Sequence, residues 1–173
     1  PPPGVHPRVL FTADELPAIR AQAKTPLGEQ FLFSVRWQTD HPGKTVLEKC
    51  AKGEKADPDT LSDFAHWAAA AYVASGDAKY LDHAKFFLGY WATGVRPLPD
   101  KPQAAWSRSL HRLALTYDYL YNDLPEDLRT LMRDYMAVRL DRPAQEAELR
   151  RRAYGIGPSF SGRGCDWGAI WAG

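Results

Sequence analysis

Cysteine is nearly absent from this 173-residue sequence. The two that occur, Cys50 and Cys165, are far apart and show no Cys-x-x-Cys spacing, so no zinc site is expected. A single disulfide between them is compatible with the sequence and cannot be inferred from it. No apolar run is long enough to cross a membrane. The opening residues, Pro-Pro-Pro-Gly-Val-His-Pro, hold neither a Met nor the apolar core of a signal peptide, as in a processed secreted protein or a trimmed chain. Neither sign of charge dominates: 22 basic residues face 21 acidic ones, for a net charge of +1. Whole-molecule electrostatics therefore singles out no partner, and nucleic acid has no support from charge or motif. Alternation of apolar and polar residues with a period of two is missing over any useful length, which leaves few or no strands. The glycines Gly155, Gly157, Gly162 and Gly164 are not followed by Gly-Lys-Ser/Thr, so they do not form a phosphate-binding loop of the P-loop kind.

Apolar residues are plentiful, at 45 % of the chain with 12 % aromatic. That is enough to bury the core of one domain. Pro1, Pro2, Pro3 and Pro7 make residues 1–10 an extended lead-in. The stretch FTADELPAIRAQAK then opens a first helix. Thr12 and Glu15 have the spacing of a capping box, while Asp14 as N-cap is an alternative that sets Pro17 in the first turn. A second helix is expected over 27–38. Residues 39–59 contain Pro42, Gly43, Gly53 and Pro58 and read mainly as loop. The next helix has Thr60 as its expected cap and an apolar stripe of Leu61, Phe64, Ala68, Ala71 and Tyr72. Another begins at Asp77, with Leu81, Ala84, Leu88 and Trp91 on one face. After the link RPLPDKP, a helix carries Leu110, Leu113, Tyr117 and Leu120. One opened by Pro125 carries Leu128, Leu131, Tyr135 and Val138. A short arginine-rich helix at 143–152 leads into the glycines.

This organisation repeats. Residues 60–92 and 104–140 each read as helix, tight turn, helix, with a period of roughly 45 residues. Units of this kind stack as αα-hairpins, into an open solenoid or a closed toroid, and the loose similarity of the two units favours the toroid. The expected fold is all-α: stacked antiparallel αα-hairpins forming part of an incomplete (α/α) toroid.

Several polar residues stand out. Arg108, His111, Asp118 and Asn122 fall along one stripe of their helix. If that helix lines a cleft, Arg108 and His111 meet an anionic ligand, and Trp106 stacks on a sugar ring. The plainer reading is a polar outer face with Asp118 holding a neighbouring helix N-terminus, since His111 and Asp118 are two turns, about 10 Å, apart. His66 and Trp67 flank the apolar stripe of their own helix, where a satisfied interior histidine competes with a ligand-binding one. His6, His41 and His83 suggest no role. Six arginines and three acids lie between Arg139 and Arg163; arginine is the better bidentate partner for carboxylate or sulfate, and a solvated helix face is the alternative.

Three segments together resemble the heparinase II/III-like polysaccharide lyases. These are HPRVLFTADELPAIRAQAK (6–24), AAAYVASGDAKYLDHAKFFL (69–88), and LHRLALTYDYLYNDLPEDLRTLM (110–132), the last similar to that family's alayDwLyd stretch. The closing CDWGAIWAG is similar to the Asn-Trp or Asn-His segment that opens an inner helix beside the family's substrate cleft. The resemblance covers nearly the whole chain, in the right order. It implies an (α/α) toroid followed by a large β-sandwich domain, with this chain as the N-terminal part of the toroid (1–173), in a secreted or periplasmic protein. Trp167 and Trp171 would then pack against downstream toroid helices or another chain.

The activity implied is cleavage of a uronic-acid polysaccharide, alginate- or heparan-type, by β-elimination, with no cofactor or metal. A proton leaves the carbon next to a carboxylate. The reaction therefore needs a neutral or positive group at that carboxylate, a base at the proton and an acid at the leaving oxygen. The family's carboxylate-neutralising asparagine falls at Asp166 here. An ionised aspartate would repel a uronate, so Arg163, three residues earlier, is the candidate source of positive charge, and Asp166 doubles as an N-cap for the last helix. His111 is the other candidate catalytic residue; Arg108, Trp106, Arg163, Trp167 and His66 are candidate substrate-binding residues. The family's base and acid have no match in this sequence. Two other readings stand beside the lyase: a non-catalytic helical-repeat module that binds glycan or protein, and an (α/α)-toroid glycoside hydrolase with Asp118 and Asp166 as its carboxylate pair.

Overall fold

The computed structural model describes residues 5–7, 9–54, 56–94 and 104–137, with the backbone alone at 58–59, 93–94 and 104–109. Among these residues the chain is helical and has no strand. Six helices are α1 (Leu16–Gln22), α2 (Pro26–Gln38), α3 (Lys44–Ala51), α4 (Pro58–Ser75), α5 (Ala78–Gly94) and α6 (Ala104–Leu120). A further helix, α7, is described over 126–137.

The Thr12–Glu15 capping box is present. The Glu15 carboxylate accepts from the Thr12 backbone N–H (2.7 Å) and from Thr12 Oγ1 (2.9 Å). A single 3₁₀ turn, Ala13–Glu15, then leads into α1, with Pro17 in its first turn. Thr25 caps α2 by accepting from the Gly28 N–H.

The segment expected to be loop is mostly helix. Thr39–Gly43 forms a π-helical turn that carries α2 straight into α3. The wider turn accommodates Pro42, which has no N–H to give. Gly43 acts as a close-packing point rather than a breaker. It is buried, and a Cβ there would sit 3.1 Å from Phe64 Cδ1. Thr39, also buried, donates its hydroxyl back to the Val35 carbonyl at 2.8 Å. Tertiary packing against α4 overrides the local breaker signal.

A second expectation shifts by one turn. The N-cap of α4 is Asp57, not Thr60: the Asp57 carboxylate accepts from Thr60 N–H (2.9 Å) and Thr60 Oγ1 (3.0 Å). Pro58 takes the first helical position, where its missing N–H costs nothing.

Helix α4 is the centre of the fold and packs against α1, α2, α5 and α6. Leu61, Ala65, Ala68, Ala69 and Ala71 are fully buried along it. Its alanines let neighbouring helices come close, and the volume is supplied from opposite: Phe87, Leu88 and Trp91 of α5, and Leu113 and Leu120 of α6. Each large side chain removed from water stabilises the fold by about 1.5–3 kcal/mol. Helix α4 ends at Gly76, whose φ of 74° is the left-handed conformation glycine adopts without strain. Its N–H donates to the Tyr72 carbonyl at 2.7 Å. Asp77 accepts from Lys79 N–H and restarts the chain as α5.

The buried face of α7 is rotated from the expected one. Met132 and Met136 are buried while Leu131 is 37 % exposed. Leu128 and Tyr135 do pack against the core, and the Tyr135 ring meets the Trp91 ring edge-on at 4.3 Å. Val138 and the expected helix at 143–152 lie outside the described residues.

Candidate functional site where the lead-in crosses helix α6

The lead-in is fastened to α6 by the polar stripe seen in the sequence. His6 Nδ1 lies 2.7 Å from Asp118 Oδ1, the geometry of an Nδ1–H donating to a carboxylate. The Val9 N–H donates to Asp118 Oδ2 at 3.0 Å. Asn122 Nδ2 donates to the His6 carbonyl at 2.6 Å. The His6 ring also stacks on Tyr121 (4.0 Å between centroids) and Phe11 lies against Tyr119 (5.1 Å). The Asp118 side chain is only 4 % exposed. A buried carboxylate must be matched by donors, and here the donors come from a segment more than a hundred residues away. Asp118 thus binds a protein segment, but that segment is the extended lead-in and not the helix N-terminus expected, and Asp118 is buried rather than on an outer face. His6, assigned no role from sequence, is its partner.

Beside this clamp is a cavity of about 240 Å³. The lead-in and α1 supply Pro7, Leu16 and Arg20 to its wall. Helix α4 supplies Tyr72 and Val73. The end of α6 and the turn after it supply Tyr119, Asn122 and Asp123. Arg20 sits at the C-terminal end of α4, its Nε–H donating to the Val73 carbonyl at 3.4 Å. A cation is favoured there by the helix dipole. Tyr72 lies between Asp123 and Arg20. Burial and then the Asp123 carboxylate push its pKa above the usual tyrosine value, so its hydroxyl stays a neutral donor. Burial and then Asp118 act in the same direction on Tyr119.

The α4–α6 contact holds a second polar cluster. Arg112 pairs with Asp63. Thr116 Oγ1 donates to the Arg112 carbonyl at 2.8 Å and lies 3.5 Å from His66 Nδ1. The rings of His66 and Tyr119 are 5.7 Å apart. Burial, then the charges of Arg112 and His111, lower the His66 pKa to about 4. At neutral pH His66 is an uncharged imidazole, able to donate or accept a hydrogen bond but not to pair with an anion.

The structure thus brings His66 into electrostatic reach of His111, which is exposed. It does not bring either to the lead-in clamp. Trp106 and Arg108 lie in the first turns of α6, where the backbone alone is described. Arg163, Asp166, Trp167 and Trp171 lie outside the described residues. Sequence reasoning missed His6, Arg20, Tyr72 and Asp123 as site residues. The signal available for both His6 and Arg20 was their place in the first resembling segment. Among the described residues no group of three or more His, Cys, Asp or Glu could hold a metal ion, and no helix is long and apolar enough to cross a membrane. Comparison of the chain with protein-family models, with curated proteins and with solved structures finds no match.

Proposed function

We propose that this chain supplies the N-terminal helices of an (α/α) toroid in a secreted or periplasmic polysaccharide lyase, which cleaves a uronic-acid glycan by β-elimination. One observation carries the reading. All eight residues lining the 240 Å³ cavity belong to the three segments that resemble the lyase family. Pro7, Leu16 and Arg20 fall in 6–24; Tyr72 and Val73 in 69–88; Tyr119, Asn122 and Asp123 in 110–132. That three resembling segments far apart in sequence meet at one cavity supports the reading. In this reading the pairs α4–α5 and α6–α7 are two of the stacked hairpins.

The chemistry divides as follows. His111, exposed on α6, and Arg108, one turn before it, meet the anionic chain. Trp106 offers a ring face to a sugar. Arg163 supplies the positive charge at the uronate carboxylate that Asp166 does not, and Trp167 is a substrate-binding residue. His66, neutral, serves as a hydrogen-bond donor. The base and acid are Tyr or His residues beyond those matched here.

A second reading, a non-catalytic module binding glycan or protein, is favoured by how the histidines and Asp118 are engaged. His6 and Asp118 satisfy each other, and His66 is held uncharged.

The test is to incubate the natural gene product with alginate, heparan sulfate and hyaluronan and follow ultraviolet absorbance of unsaturated uronate ends. The lyase reading expects that absorbance to rise, and expects an intact mass several-fold above 19.4 kDa. New reducing ends without absorbance point to a hydrolase. Binding without either product points to the module.

A further inference from the structure

We propose that the cavity beside the lead-in is a binding site for a single carboxylate-bearing sugar unit, with Arg20 as the carboxylate partner and Asp123 and Asn122 as hydroxyl partners. The choice of a sugar rests on the glycan reading above; the site itself rests on geometry.

Size comes first. A volume of 240 Å³ equals about eight water molecules at their share of the liquid. That suits one six-membered sugar ring. Polarity comes second. Arg20 is a cation at one part of the wall, Asp123 an anion at another, and the Tyr72 hydroxyl lies between them. A ligand carrying only negative charge would be repelled by Asp123, and one carrying only positive charge by Arg20. A carboxylate at one end and hydroxyls at the other satisfy both. Guanidinium is suited to a carboxylate, and Arg20 engages the Val73 carbonyl through Nε, which leaves its terminal NH₂ groups to reach Tyr72 and a ligand. An aspartate accepts from the hydroxyls of a polyol, and the Asn122 amide, whose Nδ2 holds the His6 carbonyl, offers its oxygen as a further acceptor. The rings of Tyr72 and Tyr119 give the C–H faces of a sugar an apolar surface.

The lead-in contributes one part of the wall. Pro7 lies there, and His6 and Val9 of the same segment are held on Asp118.

The experiment is an NMR titration of the 173-residue chain with glucuronate, galacturonate and glucose at neutral pH. The expected result is saturable shifts of the Arg20, Tyr72, Asn122 and Asp123 amides by the acidic sugars in the millimolar range, with glucose weaker by about tenfold. Arg20→Met is expected to erase that preference. Asp123→Asn, on an exposed residue, is expected to weaken both without disturbing the fold. No shift at these residues with any sugar overturns the proposal. So does equal affinity for acidic and neutral sugars, or an unchanged preference in a folded Arg20→Met. The two readings fail separately. Shifts here with no unsaturated product from the natural protein would remove the lyase and keep the site. Product with no shifts here would do the reverse.

Discussion

Acid should weaken this fold through His66. Its imidazole is half-buried between α4 and α6, and its pKa falls from 6.5 to about 4, first through burial and then through Arg112 and His111. The unfolded chain takes up a proton near pH 6.5; the folded chain resists it until about pH 4. Between those values the unfolded state binds more protons, so stability is complete above pH 6.5 and declines as pH falls. The full difference is about 3 kcal/mol, of which about 2 kcal/mol is lost by pH 5. His83 shifts in the same direction, through burial and then Lys79. The assay is urea unfolding of the native chain and of His66→Gln at pH 7 and pH 5. The variant keeps a hydrogen-bonding side chain near Thr116 and cannot ionise. The native chain should lose about 2 kcal/mol more than the variant over that interval. Equal losses in the two proteins, or a His66 ring titrating near 6.5 by NMR, would refute the argument.

Other consequences are more local. Asp118→Ala strips the acceptor from His6 and from the Val9 N–H and should cost about 2–4 kcal/mol; limited proteolysis should then cut within the lead-in first. Gly43→Ala places a Cβ 3.1 Å from Phe64 Cδ1 and 3.0 Å from the Gln38 carbonyl oxygen, and overpacking of this kind should cost about 1–3 kcal/mol in a thermal melt. Asp57→Ala should lower stability by about 1 kcal/mol as a lost N-cap, and Thr60→Ala by less; the reverse order would return the cap to Thr60.

Much of the helical core is legible in the sequence because it depends on local periodicity. Leu61, Phe64, Ala68 and Ala71, then Ala84, Leu88 and Trp91, then Leu113 and Leu120, all lie at helical spacing and are all buried. Where the reading slipped, a neighbour had overruled the local signal. Pro42 and Gly43 look like chain breakers, yet Gly43 is small because Phe64 packs on it. Leu131 looks more apolar than a methionine, yet Met132 and Met136 are the residues on the core side of α7. An unbranched side chain fills an irregular gap well, and no periodicity count separates two faces one residue apart.

The site was legible in a different measure. The polar stripe on α6 was visible as a stripe, and its spacing alone could not say whether it faced a ligand or a protein segment. The structure answers this differently along its length. His111 is exposed, whereas Asp118 is covered by the lead-in. The deciding residue was His6, separated from Asp118 by 112 positions. A hydrogen bond of that span leaves no local pattern, because its two ends obey different local rules: one belongs to a proline-bound extended segment, the other to a regular helix. The same holds for Arg20, which reads as an ordinary helix cation until α4 ends beside it. Residues that close long loops are thus the ones sequence reasoning loses, and here they are also the residues around the cavity. That coincidence has a physical basis. Polar side chains that bridge elements distant in sequence hold those elements at a fixed separation. The Asn122 bond to the His6 carbonyl and the Arg20 contact with α4 are such bridges, and both side chains line the cavity, so groups that hold the wall in place are also groups a ligand would meet.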